Sequence, residues 1–141
     1  MAKKKVFISF DYDHDKHYKY LLEAWDANDD FELSFADKTP DEINSDNIGR
    51  VKAGLSQKIN EAFYTLVIIG QYANAKHKDS ELIGEKNWIN WEIKKSIEAK
   101  NKLVAIKIEK SNSSPDALLC QNASWAMSFT EDAILKALRE A

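Results

Sequence analysis

The residues with the clearest chemical potential stand together: Trp88, Ile89, Asn90, Trp91 and Glu92. A carboxylate beside aromatic rings loses solvation, and lost solvation raises its pKa. Such a group accepts or shares a proton, or pins sugar hydroxyls while a neighbouring carbon turns cationic. Glu92 also has a plain structural reading. It is then a solvated helix glutamate, with Lys95 three residues on and Ser96 four residues on. Helical spacing bears on the choice. With Trp88 as the first helical residue, Ile89, Ile93 and Ile97 form one stripe that must pack on a sheet. Trp88 and Glu92 then share a line along the margin of that stripe, with Lys94, Lys95 and Glu98 outermost. Trp91 falls off the stripe, towards the preceding loop.

Other reactive residue types carry less. Asp11, Asp13, His14, Asp15 and His17 crowd into "DYDHDKH". Their spacing fits no standard zinc or calcium pattern, which gives no metal site. The same residues suit a turn followed by an acidic helix start. Ser9 has no base partner that the sequence identifies. His77, in "KHKDS", reads as a loop residue. Gly49, Gly54, Gly70 and Gly84 make neither a dinucleotide fingerprint nor a phosphate loop. Gly70 reads as room for close backbone approach at a strand end. The single cysteine, Cys120, has no partner within the chain and fits a reducing cytosol.

The totals narrow the class. A chain of 141 residues suits one domain with a proper core, and 44% hydrophobic with 30% charged residues is ordinary for a globular protein. A net charge of −3 gives no electrostatic case for nucleic acid. No apolar run approaches the ~20 residues that cross a bilayer, and the start lacks the apolar stretch of a signal peptide. The expectation is a cytoplasmic protein without a membrane partner.

The elements that must position Glu92 follow from periodicity. "KVFISF", "TLVIIG" and "KLVAIKI" are apolar and β-branched, as buried parallel strands require. "FELSF" alternates and suits an edge strand, and "SWAMSF" is a weaker last strand. Tyr18, Leu21, Leu22 and Trp25 recur at helical spacing over 14–27. Ser45 can cap a helix carrying Ile48, Val51, Leu55 and Ile59. Asn87 can cap the Glu92 helix, and Thr130 a last one with Ile134, Leu135 and Leu138 inward. Strict alternation predicts an α/β fold, a flavodoxin-like three-layer sandwich. Its five-stranded parallel sheet has the order 2-1-3-4-5, with helices on both faces.

Ligands of such a sheet bind at the carboxyl ends of its strands. That places Ser9, Phe10, Asp11 and Tyr12, then Asp37, then Gly70 and Gln71 at the mouth, with Trp88 and Glu92 beyond a polar loop over 73–86. Rings and acids together suit a flat ring joined to a hydroxylated sugar. A phosphorylation receiver would need an aspartate at the third strand end, where Gly70 and Gln71 stand instead.

"VFISF" resembles the first sequence box of TIR domains, and "WINWE" the Trp-x-x-x-Glu pattern of catalytic ones. "KLVAIKI" resembles the strand that follows that helix. With "SFDYDHD" after the first strand, the chain is most similar to the bacterial TIR-like group that includes the TIR proteins of Thoeris antiphage systems. The likeness runs over residues 4–108. It implies cleavage of NAD+ as substrate, with no separate cofactor, and a cyclic or conjugated ADP-ribose signal read by a downstream effector. It implies that Glu92 is the catalytic carboxylate and that Phe10 lies on the nicotinamide side. It implies a loop from Asp37 to Ile43 that governs opening and self-assembly. Asp11 stands where the family is often basic. Two rivals remain: an adaptor that only self-associates, and a nucleoside deoxyribosyltransferase-like enzyme, which also sets a glutamate against a sugar carbon.

Overall fold

The computed structural model describes residues 4–26, 33–34, 47–119 and 121–141. The elements in chain order are β1 (Lys4–Ser9), α1 (Tyr12–Asp26), β2 (Leu33–Ser34), α2 (Ile48–Glu61), β3 (Tyr64–Ile69), α3 (Ser80–Ile83), α4 (Trp88–Glu98), β4 (Lys102–Lys107), β5 (Ser124–Ala126) and α5 (Glu131–Glu140). A 3-10 turn at Asp116–Leu118 precedes β5. The protein is an α/β fold with a parallel sheet between helices.

Four strands, β1, β3, β4 and β5, form the continuous parallel ladder. β2 meets β1 through two residue pairs only, Lys4 with Leu33 and Lys5 with Ser34. The sheet is therefore four strands with a two-residue edge, not the five full strands expected. Hydrogen-bonded neighbours run β2-β1-β3-β4-β5. The rest of "FELSF" lies outside the described residues, as do Asp37, the segment 37–43, Ser45 and Cys120.

Strand alternation sorts the side chains onto two faces. Val6, Ile8, Phe10, Leu66 and Ile68 pack with Leu22 of α1 and Ile134 and Leu138 of α5. Val67, Ile69, Leu103 and Ala105 pack with Ile89 and Ile93 of α4. Phe7 joins Val51, Leu55 and Ile59 of α2. Ser9 shares the parity of Phe7, and so faces the α4 side. Gly70 shares the parity of Ile68, and so faces α1. This division decides what each residue can meet.

Several local expectations need correction. The cap of α2 is Asn47, whose side chain accepts from the Arg50 backbone N–H, because the helix starts at Ile48 rather than just after Ser45. The stretch expected as plain loop over 73–86 contains α3, closed by Gly84 in the left-handed conformation at φ 86°. Leu21 is 44% exposed, and Leu22 alone of that pair faces the core. Asn87 and Thr130 cap α4 and α5, each accepting from a backbone N–H in the first turn.

The largest correction concerns α4. Ile97 is 37% exposed, while Trp91 is only 6% exposed. The expected single stripe is too narrow. The helix packs on the sheet, on α2 and on the 3-10 turn at once. Its buried face therefore spans Ile89, Asn90, Trp91, Glu92, Ile93 and Ser96. Trp91 sits in the α2 cluster with Phe7, Val51 and Leu55, its ring edge-on to Trp88 at 5.7 Å. Truncating Trp91→Ala is expected to cost about 3–5 kcal/mol, read as a drop in the urea midpoint. A cost under about 1 kcal/mol would mean that α2 and α4 do not depend on this ring.

Candidate functional site

Glu92 is 2% exposed, deeper than the rim position its helical line suggests. Ser9 Oγ donates to its Oε1 at 2.6 Å. Burial pushes the carboxyl up to about 8, and the Ser9 hydrogen bond pulls in the opposite direction. The sequence pairs the two residues across 83 positions, and two periodicities make them meet. Alternation turns Ser9 towards α4. The wide buried face of α4 turns Glu92 towards β1. Ser96, expected as a partner of the glutamate side chain, instead donates to the Glu92 backbone carbonyl at 2.8 Å and bonds Thr65 Oγ1 at 2.6 Å.

A hollow of about 230 Å³ opens beside this pair, lined by Phe10, Asp11, Tyr12, His14, Tyr72 and Trp88, among others. Four of the sequence candidates therefore line one space: Phe10, Asp11, Tyr12 and Trp88. Glu92 and Ser9 do not line it. Glu92 sits one helical turn behind Trp88, and Ser9 directly precedes Phe10. His14 stacks on Tyr72 with ring centroids 4.0 Å apart, and its Nδ1 lies 2.7 Å from Asp11 Oδ2. This hollow is aromatic with charged edges, and its residues come from the β1 end, the loop after β3 and the start of α4.

Gly70 and Gln71 go elsewhere. They line a second hollow with Asp15 and Tyr18 of α1 and the loop after β4. A Cβ on Gly70 would overlap the Asp15 carboxylate. Asp15 is 7% exposed, and burial first, then Asp11, raises its pKa, while His14 and His17 oppose that rise. Within "DYDHDKH" Asp15 looked like one more helix-start acid. The signal was its parity with Gly70, which only the register of α1 on the sheet reveals.

Asparagines hold the start of α4, and their residue types alone did not announce it. Asn87 Oδ1 accepts from the Asn90 backbone N–H at 2.9 Å, and its Nδ2 donates to the carbonyls of Ala73 and Ala75 at 3.0 and 2.9 Å. Asn90 Oδ1 accepts from the Ala117 backbone at 2.7 Å, and its Nδ2 donates to Asn74 Oδ1 at 3.2 Å. One cap residue thus ties the loop after β3 to the helix that carries Trp88 and Glu92. Three asparagines within positions 74–90 were the visible trace.

The family model for the Thoeris protein ThsB, TIR-like domain, matches residues 7–113. The chain belongs to the ThsB TIR-like family. The match spans β1 through the loop after β4, and so covers Ser9, both hollows and Glu92. No curated protein matches the chain. As a ThsB TIR-like domain, it places its Trp-x-x-x-Glu segment on the first turns of α4, with both ends of that segment turned to the strand-end side. Among the described residues, no helix is long and apolar enough to cross a membrane.

Proposed function

We propose that this ThsB TIR-like protein cleaves the nicotinamide–ribose bond of NAD+ and makes an ADP-ribose-derived signal in antiphage defence. The observation that carries this reading is the buried Glu92 carboxyl, bonded by Ser9 and adjoining an aromatic hollow. A carboxylate there faces a carbon that becomes cationic. When the C1′–N bond breaks, its electron pair goes to the ring nitrogen, which loses its positive charge. Nicotinamide therefore leaves without acid help, and one carboxylate suffices where glycoside cleavage needs two. C1′ becomes oxocarbenium-like, and the Glu92 charge stabilises it. Water, or a hydroxyl or ring nitrogen of an acceptor, then forms the new bond to C1′ and gives up its proton.

Phe10 and Trp88 are the rings for the nicotinamide side, and Asp11 and Tyr12 border the sugar. Because Glu92 is closed off behind Trp88, substrate entry moves that ring or its turn of α4. The same reading takes residues 1–141 as one flavodoxin-like domain, order 2-1-3-4-5, with Asp37 on the loop that governs opening. The product passes to an effector that senses it.

The test uses extracts of phage-challenged bacteria expressing the wild type or Glu92→Gln, with NAD+ and nicotinamide separated by chromatography. Nicotinamide is expected to accumulate with the wild type and to fall by about 10²–10³-fold in rate with Glu92→Gln. Equal release from both removes Glu92 from the chemistry. Base exchange between deoxynucleosides, with NAD+ untouched, would instead favour the deoxyribosyltransferase-like reading.

A further inference from the structure

We propose that Lys76 and His77, on the loop after β3, form a phosphate subsite at one wall of the aromatic hollow. Among the described residues, Lys76 is the one lysine or arginine that lines this space, and His77 lines it too. Nearby charges are already engaged. Lys86 Nζ lies 3.6 Å from Asp116 Oδ2, and Lys94 Nζ lies 2.8 Å from Glu85 Oε1. Lys76 makes no such pair among the described residues, so its ammonium is open to a ligand. The His77 ring adds a donor with a fixed tautomer. Its Nδ1 accepts from the Asp79 backbone N–H at 2.9 Å, which leaves Nε2 as the ring's donor. A cation beside an N–H donor suits phosphate oxygens.

Hydrogen bonds hold this wall in place. The Ala75 carbonyl accepts from Asn87 Nδ2 at 2.9 Å. The His77 backbone N–H donates to the Lys86 carbonyl at 2.8 Å, and the His77 carbonyl accepts from the Ser80 N–H at 3.1 Å. Lys76 therefore stands between two anchored neighbours, and its backbone is set before a ligand arrives. The opposite wall, at the start of α1, is acidic and carries Asp11 and Asp13. Those carboxylates repel an anion and accept hydroxyl protons instead. The hollow is thus polar across its width, with acceptors for a sugar on the α1 side and donors for a phosphate on the loop side.

Size points to the same place. At about 230 Å³ the hollow falls below the roughly 300–1,000 Å³ of sites for larger ligands, so a dinucleotide needs further space. An open groove of about 520 Å³ runs along α3, lined by Ser80, Gly84 and Lys86, among others. Lys76 lines both the hollow and the groove. A pyrophosphate joins the two halves of a dinucleotide, and Lys76 joins the two spaces. This last placement rests on the NAD+ reading: the nicotinamide ribose in the hollow, the pyrophosphate at Lys76 and His77, and the adenosine half along the groove.

Inorganic pyrophosphate is the first probe, titrated at constant ionic strength into the labelled full chain and followed by amide chemical shifts. Saturable shifts are expected at Lys76 and His77, with affinity about tenfold or more lower in Lys76→Gln. Lys76 is exposed, so this change leaves the core intact. Nicotinamide mononucleotide and nicotinamide riboside, which differ by one phosphate, are the second pair of probes. The mononucleotide is expected to bind about tenfold or more tightly than the riboside, and Lys76→Gln to erase the difference. Absence of saturable shifts with pyrophosphate, equal shifts at Lys78, Lys94 and Lys100, or an undiminished preference for the mononucleotide in Lys76→Gln would overturn the proposal. The pyrophosphate titration does not involve Glu92. Saturable shifts from a protein that releases no nicotinamide would remove the NAD+ reading and keep the subsite, and nicotinamide release without those shifts would remove the subsite alone.

Discussion

Nicotinamide release is expected to rise about tenfold per pH unit up to pH about 8 and to level off above it. The proposed reaction uses the charged form of Glu92, because only the carboxylate would stabilise a cationic C1′. Burial holds that carboxyl near 8, so at lower pH most molecules carry it neutral. Each unit below this value removes nine-tenths of the active form. The profile of kcat/KM reports the free protein, which is the state described by the structure. Between pH 6 and pH 8 the gain is about fiftyfold, because the group is half charged at pH 8. Ser9→Ala gives a second check with a definite sign. The Ser9 hydroxyl favours the charged form, so its loss moves the midpoint to higher pH. A profile flat from pH 6 to 9 would show that the reaction does not wait for Glu92 to ionise.

The fold was legible because each strand declared itself by composition. "TLVIIG" is continuous and apolar, and the corresponding β3 is buried along its whole length. The alternation of strands and helices then fixes a parallel sheet by chirality and connection length. The edges were less legible. β5 closes after three residues, before the Met127–Phe129 end of "SWAMSF", since an edge strand has one partner to set its extent. Element ends moved by one to two residues where caps, not apolar residues, decide them.

The site was legible in part, and the errors share one cause. Trp88, Phe10, Asp11 and Tyr12 are brought to one hollow from α4, the β1 end and the start of α1, and Glu92 lies one helical turn behind Trp88. Burial of Glu92 was underestimated because a helical wheel has no knowledge of neighbours. One stripe suffices against a sheet alone, but α4 also meets α2 and the 3-10 turn. That wider contact buried Trp91 and closed Glu92 away from solvent. Gly70 and Gln71 were assigned to the same mouth because they end a neighbouring strand. Strand parity sends Gly70 to the opposite face, where Asp15 waits. The sequence places residues along a strand end, but face requires register, and register comes from the packed sheet.

Glu92→Gln is expected to stabilise the protein, and increasingly so as pH rises from 5 to 8. The folded pKa of Glu92, about 8, lies above its ordinary value of 4.5. Between these values the folded chain keeps a proton that the unfolded chain has released. Folding stability from this group is therefore complete below 4.5 and is lost as pH rises towards 8. The slope is about 1.4 kcal/mol per pH unit, which bounds the whole effect at about 5 kcal/mol. Glutamine does not titrate, and its carbonyl still accepts the Ser9 hydroxyl. All other groups titrate alike in both proteins and cancel in the difference. Denaturant unfolding of both at pH 5, 6, 7 and 8 should give a gap near zero at first and a few kcal/mol at the last. A gap that stays constant would mean that Glu92 is not desolvated in solution, and the pH profile of the reaction would lose its basis with it. A gap that grows identifies a charge kept where it weakens the fold. No solvated helix glutamate behaves so, and a buried carboxylate held ready for a cationic sugar carbon does.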